Sequence, residues 1–158
     1  MNFYKISEHV HYKAVAWVVS FQFIGLCIGL GTKFGMNLWY IELDKSSLTP
    51  PEYIFGIVWP LLYISLVIFG YNLYKVESSK SITRLYIIYS VKMLLNWSWI
   101  YIFFNLRMTL IALVVLVFIV SINSVIILGL IKLHNKNWYI IIPYFLWICF
   151  ALYLNTML

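Results

Sequence analysis

The chain has 158 residues, of which 64% are hydrophobic, 20% aromatic and only 10% charged. A soluble domain of this length cannot bury that much apolar surface, so the composition predicts an integral membrane protein. The formal net charge is +6, but the basic residues are scattered among short polar segments. This distribution argues against nucleic acid as a partner and leaves membrane lipid as the expected surroundings.

Five apolar segments are each long enough, at about 1.5 Å per residue, to cross a hydrocarbon core of about 30 Å. The predicted spans are residues 14–31, 53–74, 85–106, 110–131 and 138–158, and only the first connection, residues 32–52, is long. Because the other connections are short, consecutive helices are expected to be antiparallel neighbours. The sequence predicts an all-α bundle of five transmembrane helices that forms a single membrane domain over residues 1–158.

The first span is longer than a signal-peptide core and carries Gln22 near its middle, so we expect it to be retained as a helix. Gly25 and Gly29 form a GxxxG step within it. Small residues at this spacing allow a second helix to approach closely, either inside the bundle or across a homodimer. The spacing alone does not choose between the two arrangements.

The distribution of basic residues predicts the orientation in the membrane. Seven lie on the side of the N terminus: Lys5, Lys13, Lys75, Lys80, Arg84, Lys132 and Lys136. Three lie on the opposite side: Lys33, Lys45 and Arg107. Because cytoplasmic segments carry the excess of positive charge, we expect a cytoplasmic N terminus and an outward C terminus. Together with the short tails, this favours a bacterial inner membrane.

The second span begins with the sequence TPPE, from Thr49 to Glu52. Proline is tolerated at a helix start because its missing N–H would have no partner there, and Thr49 is a candidate N-cap. Pro50 and Pro51 are therefore predicted to be structural residues that fix a rigid helix entry. Pro60 lies inside the span, where it is expected to kink the helix or leave a carbonyl to neighbouring helices.

Three spans place aromatic residues along one helix face, at the 3.6-residue repeat. These faces contain Phe55, Trp59 and Tyr63 in the second span, Asn96, Trp99 and Phe103 in the third, and Trp147, Phe150, Ala151, Leu154 and Asn155 in the fifth. Trp99 and Trp147 lie deeper than an interfacial belt, so these faces are expected to point into the bundle. Two interpretations stay open: aromatic core packing tied together by asparagines, or a pocket for a flat aromatic ligand.

Lys92 lies one helical turn before Asn96, and an ionisable residue near mid-span is a functional candidate by default. The alternative is a lysine that snorkels to an interface or pairs with a carbonyl or an acid. Spacing alone does not distinguish a functional lysine from such a structural one. The spans contain no pair of acids and no nucleophile beside a base. No catalytic residue is therefore assigned, and no metal site is predicted.

The loop before the second span resembles the TspO/MBR family of tryptophan-rich sensory proteins and translocator proteins. The family pattern W-Y-x-x-L-x-K-P-x-x-x-P-P-x-x-x-F-x-x-V-W resembles WYIELDKSSLTPPEYIFGIVW, from Trp39 to Trp59. Ser46 stands at the position of the first proline. The continuation of the pattern, W-x-x-x-Y, is met by Trp59 and Tyr63.

Two later segments extend the resemblance. The family pattern Q-L-x-L-N-x-x-W-S-x-x-F-F is similar to KMLLNWSWIYIFF, in which Lys92, Met93 and Ile100 depart. The pattern P-Y-x-x-W-x-x-[FY]-A-x-x-L-N is met completely by PYFLWICFALYLN, from Pro143 to Asn155. Several multi-residue motifs thus occur in the family's order along the chain.

The resemblance implies a five-helix bundle, commonly a homodimer, that binds tetrapyrroles such as protoporphyrin IX or haem below the first loop. It implies a lid formed by Trp39 and Tyr40. It implies pocket walls formed by Trp59, Tyr63, Asn96, Trp99, Trp147, Phe150 and Ala151. The aromatic faces add Phe55, Phe103 and Asn155 to these candidates. The porphyrin is expected as a ligand, and no cofactor is obligatory.

The function implied by the resemblance is a membrane receptor or sensor that binds porphyrins and regulates tetrapyrrole handling or a stress response. One alternative is an enzyme that degrades the bound porphyrin with light and oxygen. A second is a porphyrin or sterol transporter, which the absence of an internal repeat disfavours. Sterol binding is not expected, because no basic residue follows the fifth span to complete the sterol-recognition pattern of animal members.

Overall fold

The computed structural model describes residues 20, 23–25, 39–40, 43, 45–75 and 80–158. Four long helices account for most of them: α1 (Glu52–Lys75), α2 (Lys80–Phe104), α3 (Thr109–Lys132) and α4 (Trp138–Thr156). They correspond to the second to fifth predicted spans. Residues 20 and 23–25, inside the first predicted span, are also helical, whereas Gly29 lies outside the described residues. The described part of the chain contains no β-strand, and the predicted all-α fold is confirmed.

The boundaries of α2 differ from the predicted span of residues 85–106. The helix begins at Lys80, because it continues into polar residues beyond the apolar pattern, and it ends at Phe104, two residues before the predicted end. The N–H groups of Asn105 and Leu106 both donate to the carbonyl of Tyr101, at 2.9 and 3.1 Å, and close the last turn. The bounds of α1 and α3 lie within one residue of the predicted spans.

All four helices are long and apolar enough to cross a membrane. The outward surface of α3 carries large apolar side chains, among them Leu110, Val114, Val117, Phe118, Val125 and Leu128. A surface of this kind is unfavourable in water and suits a bilayer, whose tails need no polar partner. Tyr53, Tyr101 and Tyr139 are exposed near helix ends, where tyrosine commonly meets the lipid headgroups.

The helices pack as a bundle in which α2 lies along α3, α3 lies along α4, and α1 contacts both α4 and α2. The turn after α3 shows how the short connections are held. His134 adopts a φ of 50°, while its N–H bonds to the carbonyl of Ile131 and the N–H of Asn135 to that of Leu130. This is the Schellman arrangement that caps a helix C terminus.

Two glycines mark close approaches in the bundle. A Cβ added at Gly25 would lie 3.0 Å from the ring of Tyr63, so this half of the GxxxG step packs inside the chain. A Cβ at Gly70 would lie 2.8 Å from the ring of Tyr89. The hydroxyl of Tyr89 donates to the carbonyl of Leu66 at 2.7 Å, which holds the ring against α1.

Gly70→Ala is expected to lower the free energy of unfolding by about 1–2 kcal/mol, because the added methyl overpacks a buried contact. Tyr89 is only 1% exposed and cannot swing away without losing its hydrogen bond. Gly56 provides a control on the same helix, since a Cβ there meets nothing within 4 Å. Gly56→Ala should hold or raise stability through helix propensity. Thermal unfolding in detergent measures both variants, and equal midpoints would contradict the close approach.

Candidate functional site

The entry to α1 is built by the two predicted structural prolines, with one correction. The helix begins at Glu52, and the N–H of Ile54 donates to the carbonyl of Pro51 at 3.0 Å. Pro51 therefore holds the capping position, and the expectation that Thr49 is the N-cap is wrong. The reason is that Pro50 and Pro51 both precede the helix, so Thr49 lies two residues before the capping position. Pro60 lies inside α1, which continues to Lys75.

A turn immediately before the prolines positions the end of the long first loop. The N–H of Thr49 donates to the carbonyl of Ser46 at 2.9 Å, and the N–H of Leu48 donates to the hydroxyl of Ser46 at 3.2 Å. Serine commonly stabilises turns through its side-chain oxygen. Ser46, which departs from the family's proline, thus restrains the chain by a hydrogen bond where proline would restrain it by its ring.

The aromatic residues at the end of α2 meet the two predicted lid residues. Trp99 stacks on Phe103 with ring centroids 5.7 Å apart, and Phe103 contacts Phe104 at 4.7 Å. Trp39 approaches Phe103 at 5.8 Å, and Tyr40 approaches Phe104 at 5.6 Å. These edge-to-face and stacked geometries are favourable for aromatic pairs. The lid residues are therefore packed onto the end of α2.

Helices α1 and α4 add further rings. Trp59 of α1 lies 6.2 Å from Trp99. One turn earlier in α1, Phe55 lies 5.7 Å from Trp147 of α4, which in turn contacts Phe150 at 5.8 Å. The aromatic faces predicted on three separate spans thus lie at one end of the bundle, where α1 begins and α2 and α4 end.

A cavity of about 40 Å³ lies among these rings. Its lining residues come from the loop, α1, α2 and α4: Tyr40, Lys45, Thr49, Phe55, Trp99, Phe103, Phe104, Ala151, Leu154, Asn155 and Leu158. Sites for large ligands usually enclose several hundred Å³. Occupation by a tetrapyrrole would therefore require the surrounding rings to separate. Phe55 and Phe104 are only half-buried, so they are less tightly held than the fully buried core.

Three polar groups in and beside the cavity have no hydrogen-bond partner among the described residues. They are the side-chain amide of Asn155, through both its atoms, and the indole nitrogens of Trp99 and Trp147. Asn155 is only 6% exposed. Burial of such groups without a partner is unfavourable, and a membrane interior offers them no solvent. Trp99 and Asn155 thus bring an indole donor and a donor–acceptor amide to the cavity lining, and Trp147 adds a second indole donor beside it.

Asn96 has a different environment from Asn155, although both were predicted as site residues. Its amide nitrogen donates to the hydroxyl of Tyr63 at 3.2 Å, and its amide oxygen accepts from the hydroxyl of Tyr144 at 2.7 Å. Asn96 is fully buried and joins α2 to α1 and α4. Asn96 therefore ties helices together, as the packing interpretation expects. Asn155 instead lines the cavity.

The twelve predicted site residues are placed in three groups. Those that line the cavity are Tyr40, Phe55, Trp99, Phe103, Ala151 and Asn155. Trp39, Trp59 and Trp147 contact a lining ring, and Phe150 contacts Trp147. Tyr63 and Asn96 lie behind the lining and share the hydrogen bond described above. All twelve assignments to a ligand stay predictions.

Lining residues absent from the predicted set include Lys45, Thr49, Phe104 and Leu154. Phe104 follows Phe103 in the paired aromatics of the third-span pattern, and Leu154 lies one turn beyond Ala151, so sequence signals existed for both. Tyr144 was also missed as the partner of Asn96. It lies three residues before Trp147, on the same face of α4.

Lys92 occupies neither of the environments predicted for it. Its side chain is fully buried, so it does not snorkel, and its Nζ has no hydrogen-bond partner in the described chain. The amine lies 3.9 Å from the ring centroid of Tyr144 and 5.1 Å from that of Tyr89. Aromatic faces are thus the only described stabilisation of this amine.

Lys92→Met is expected to raise the free energy of unfolding by about 1–3 kcal/mol, because it removes a buried donor group while preserving an unbranched apolar chain. Lys80→Met, at the exposed start of α2, is the control and should change stability little. Thermal unfolding in detergent compares them. A lower midpoint for Lys92→Met would show that the amine has a stabilising role.

Comparisons with known proteins agree with the site's motifs. The sequence profile of the TspO/MBR family matches residues 16–158. The chain is 30% identical over 145 residues to the tryptophan-rich protein TspO of Archaeoglobus fulgidus, covering 90% of this chain and 92% of that protein. It is 28% identical over 142 residues to the tryptophan-rich protein TspO of Chlorobaculum tepidum, covering 84% and 88% of the two chains.

A eukaryotic relative shows the same extent of similarity. The chain is 29% identical over 154 residues to the human translocator protein, covering 90% of this chain and 89% of that protein. The alignments therefore extend over most of both aligned chains rather than over one motif. Taken with the family profile and the long apolar helices, they establish that the chain belongs to the TspO/MBR family and is an integral membrane protein.

Proposed function

We propose that this protein is a membrane receptor or sensor that binds porphyrins such as protoporphyrin IX or haem within its aromatic cavity. The binding would regulate tetrapyrrole handling or a stress response. The observation that carries the proposal is the combination of aromatic lining with buried polar groups that have no hydrogen-bond partner among the described residues, namely those of Asn155, Trp99 and Trp147.

A porphyrin suits this combination. Its flat ring can stack on indole and phenyl faces, and its polar atoms can satisfy the donors and acceptors for which the described part of the chain supplies no partner. Satisfying a buried polar group recovers part of the cost of its burial. Such groups therefore favour a ligand with polar atoms over a purely aliphatic one.

Binding requires the cavity to expand, because its volume of about 40 Å³ is far below the several hundred Å³ typical of such sites. The contact between Phe55 and Trp147 joins α1 to α4, and both side chains are half-buried. We propose that this seam opens to admit the ring. The contacts of Asn96 with Tyr63 and Tyr144 lie behind the lining and would be retained.

Titration of the purified protein with protoporphyrin IX tests the proposal. We expect saturable quenching of tryptophan fluorescence, and Trp147→Ala should weaken the apparent affinity several-fold because it removes a ring and a donor beside the cavity. Trp138→Ala is the matched control, since Trp138 begins the same helix, at the end opposite the cavity. Linear, unsaturable quenching, or equal affinities in both variants, would contradict the proposal.

Light- and oxygen-dependent breakdown of the bound porphyrin is the second candidate. It is favoured by the approach of Trp59 and Trp99, whose ring centroids are 6.2 Å apart, because neighbouring indoles can take part in electron transfer. Illumination of the complex in air, followed by absorbance, distinguishes the candidates. Loss of the porphyrin spectrum only in the presence of the protein supports an enzyme, whereas an unchanged spectrum excludes one.

The location and assembly of the protein are proposed on the same basis. The excess of basic residues on one side of the spans supports a cytoplasmic N terminus in a bacterial inner membrane. A membrane-impermeant reagent should then label a cysteine placed at Arg107 but not one placed at His134, in intact cells. We also propose a homodimer, which cross-linking in the membrane tests directly.

A further inference from the structure

Among the described residues that line the cavity, Lys45 alone has a charged side chain. It precedes the turn that begins at Ser46, and its side chain is half-buried. Its Nζ lies 4.3 Å from the ring centroid of Tyr40. A cation is thus held against a lining whose other described side chains are uncharged.

The surroundings of Lys45 restrict where its ammonium group can lie. Tyr40 is 8% exposed, and its ring contacts both Phe103 at 6.3 Å and Phe104 at 5.6 Å. The turn from Ser46 to Thr49 fixes the backbone on the other side of Lys45. Ring and backbone together place the ammonium beside the cavity before any ligand arrives.

An ammonium group beside a low-dielectric cavity attracts an anion more strongly than one in water. The face of Tyr40 covers one side of the group, yet lysine carries three donors, so donors can still reach a ligand. A charge-assisted hydrogen bond to a carboxylate is among the stronger polar contacts. The cation–π contact with Tyr40 is therefore compatible with a second, anionic partner.

A second cation lies nearby but outside the lining. The guanidinium carbon of Arg107 is 5.9 Å from the ring centroid of Trp39, and Arg107 is exposed. It packs on the neighbouring lid residue and does not line the cavity. Lys45 and Arg107 thus make cation–π contacts with two adjacent residues, Tyr40 and Trp39. Only the cation of the first contact belongs to a residue that lines the cavity.

We propose that Lys45 selects ligands that carry a carboxylate, so that the site prefers a flat apolar ring with an acidic edge over the same ring without one. This inference rests on the proposed porphyrin site and names the chemical class that it favours. Arg107, by contrast, stabilises the position of Trp39 and contributes little to the choice of ligand.

The test compares protoporphyrin IX with its uncharged dimethyl ester, by fluorescence titration of the full chain in the same detergent. We expect the diacid to bind about tenfold more tightly, the size of one charge-assisted contact at a half-buried position. Lys45→Met should remove this preference, and Arg107→Met should retain it. Lys45→Arg should also retain it, because the charge is preserved. Added salt should weaken binding of the diacid to the unaltered protein more than to Lys45→Met.

The outcomes separate this inference from the proposed function. Equal affinities for diacid and ester in the unaltered protein would overturn the role of Lys45 and leave porphyrin binding intact. A preference that persists in Lys45→Met would place the anion elsewhere and would also overturn it. Saturable binding of neither compound would overturn both proposals. A preference that disappears in Lys45→Met but survives in Arg107→Met and Lys45→Arg supports the inference.

Discussion

Ala151→Phe is expected to weaken the binding of protoporphyrin IX by at least tenfold. Ala151 lines the cavity with a side chain of one carbon, and the loop residues Lys45 and Thr49 line the same cavity. A phenyl ring at this position fills space that the ligand needs. Overpacking of this kind typically costs about 1–3 kcal/mol, and a cost of about 1.4 kcal/mol or more produces the expected tenfold or greater loss of affinity.

Leu146→Phe is the control for Ala151→Phe, because Leu146 is on the same helix and is 62% exposed. The added ring there should meet lipid and leave the affinity unchanged. Both variants are compared by the titration of tryptophan fluorescence, with helix content checked by circular dichroism. Unchanged affinity in a correctly folded Ala151→Phe protein would place the ligand away from the cavity.

The second large effect is expected from Asn96. Asn96→Leu leaves the hydroxyls of Tyr63 and Tyr144 without their shared partner in a buried setting. We expect the free energy of unfolding to fall by about 2 kcal/mol, because two hydrogen bonds are lost. Each loss inside a membrane protein costs less than the full penalty for burying an unpaired polar group. The measurement is thermal unfolding in detergent.

Asn155→Leu is the matched substitution, and it should weaken ligand binding without lowering stability. Both amide atoms of Asn155 lack a partner among the described residues, so their removal should leave stability unchanged or raise it. Binding of protoporphyrin IX should weaken instead, because the cavity loses its amide. If the two variants lost the same stability, the distinction between a structural and a cavity-lining asparagine would be wrong.

The helices could be predicted from the sequence because a bilayer imposes a length and a composition on any segment that crosses it. The same reasoning fails at polar ends. Residues 80–84 continue α2 as regular helix, although their polar character ended the predicted span. Hydropathy reports where the hydrocarbon begins, whereas backbone hydrogen bonds decide where a helix begins.

The candidate site could be predicted only in part, because periodicity describes one helix at a time. It correctly grouped Trp99 with Phe103 and Ala151 with Asn155 on their own faces. It could not separate Asn96 from Asn155, since the difference lies in which hydroxyls the neighbouring helices supply. Lys45 lies at the cavity but belongs to the long first loop. Helical periodicity does not apply to a loop, so it could not predict this position.

Two departures from the family patterns acquire physical explanations in the structure. Ser46 replaces a proline and restrains the same turn through its hydroxyl. Lys92 replaces a glutamine, and its amine is buried between aromatic rings. The first substitution preserves a local conformation, whereas the second adds a buried donor for which the described residues supply no hydrogen bond.

One absorption spectrum shows whether a porphyrin binds in the aromatic cavity. The purified protein is incubated with protoporphyrin IX, freed of unbound ligand by gel filtration, and measured beside an Ala151→Phe sample treated identically. We expect a Soret band that elutes with the unaltered protein and is strongly reduced in the variant. A folded protein that elutes without a Soret band, or a band of equal height in both samples, would contradict binding in this cavity.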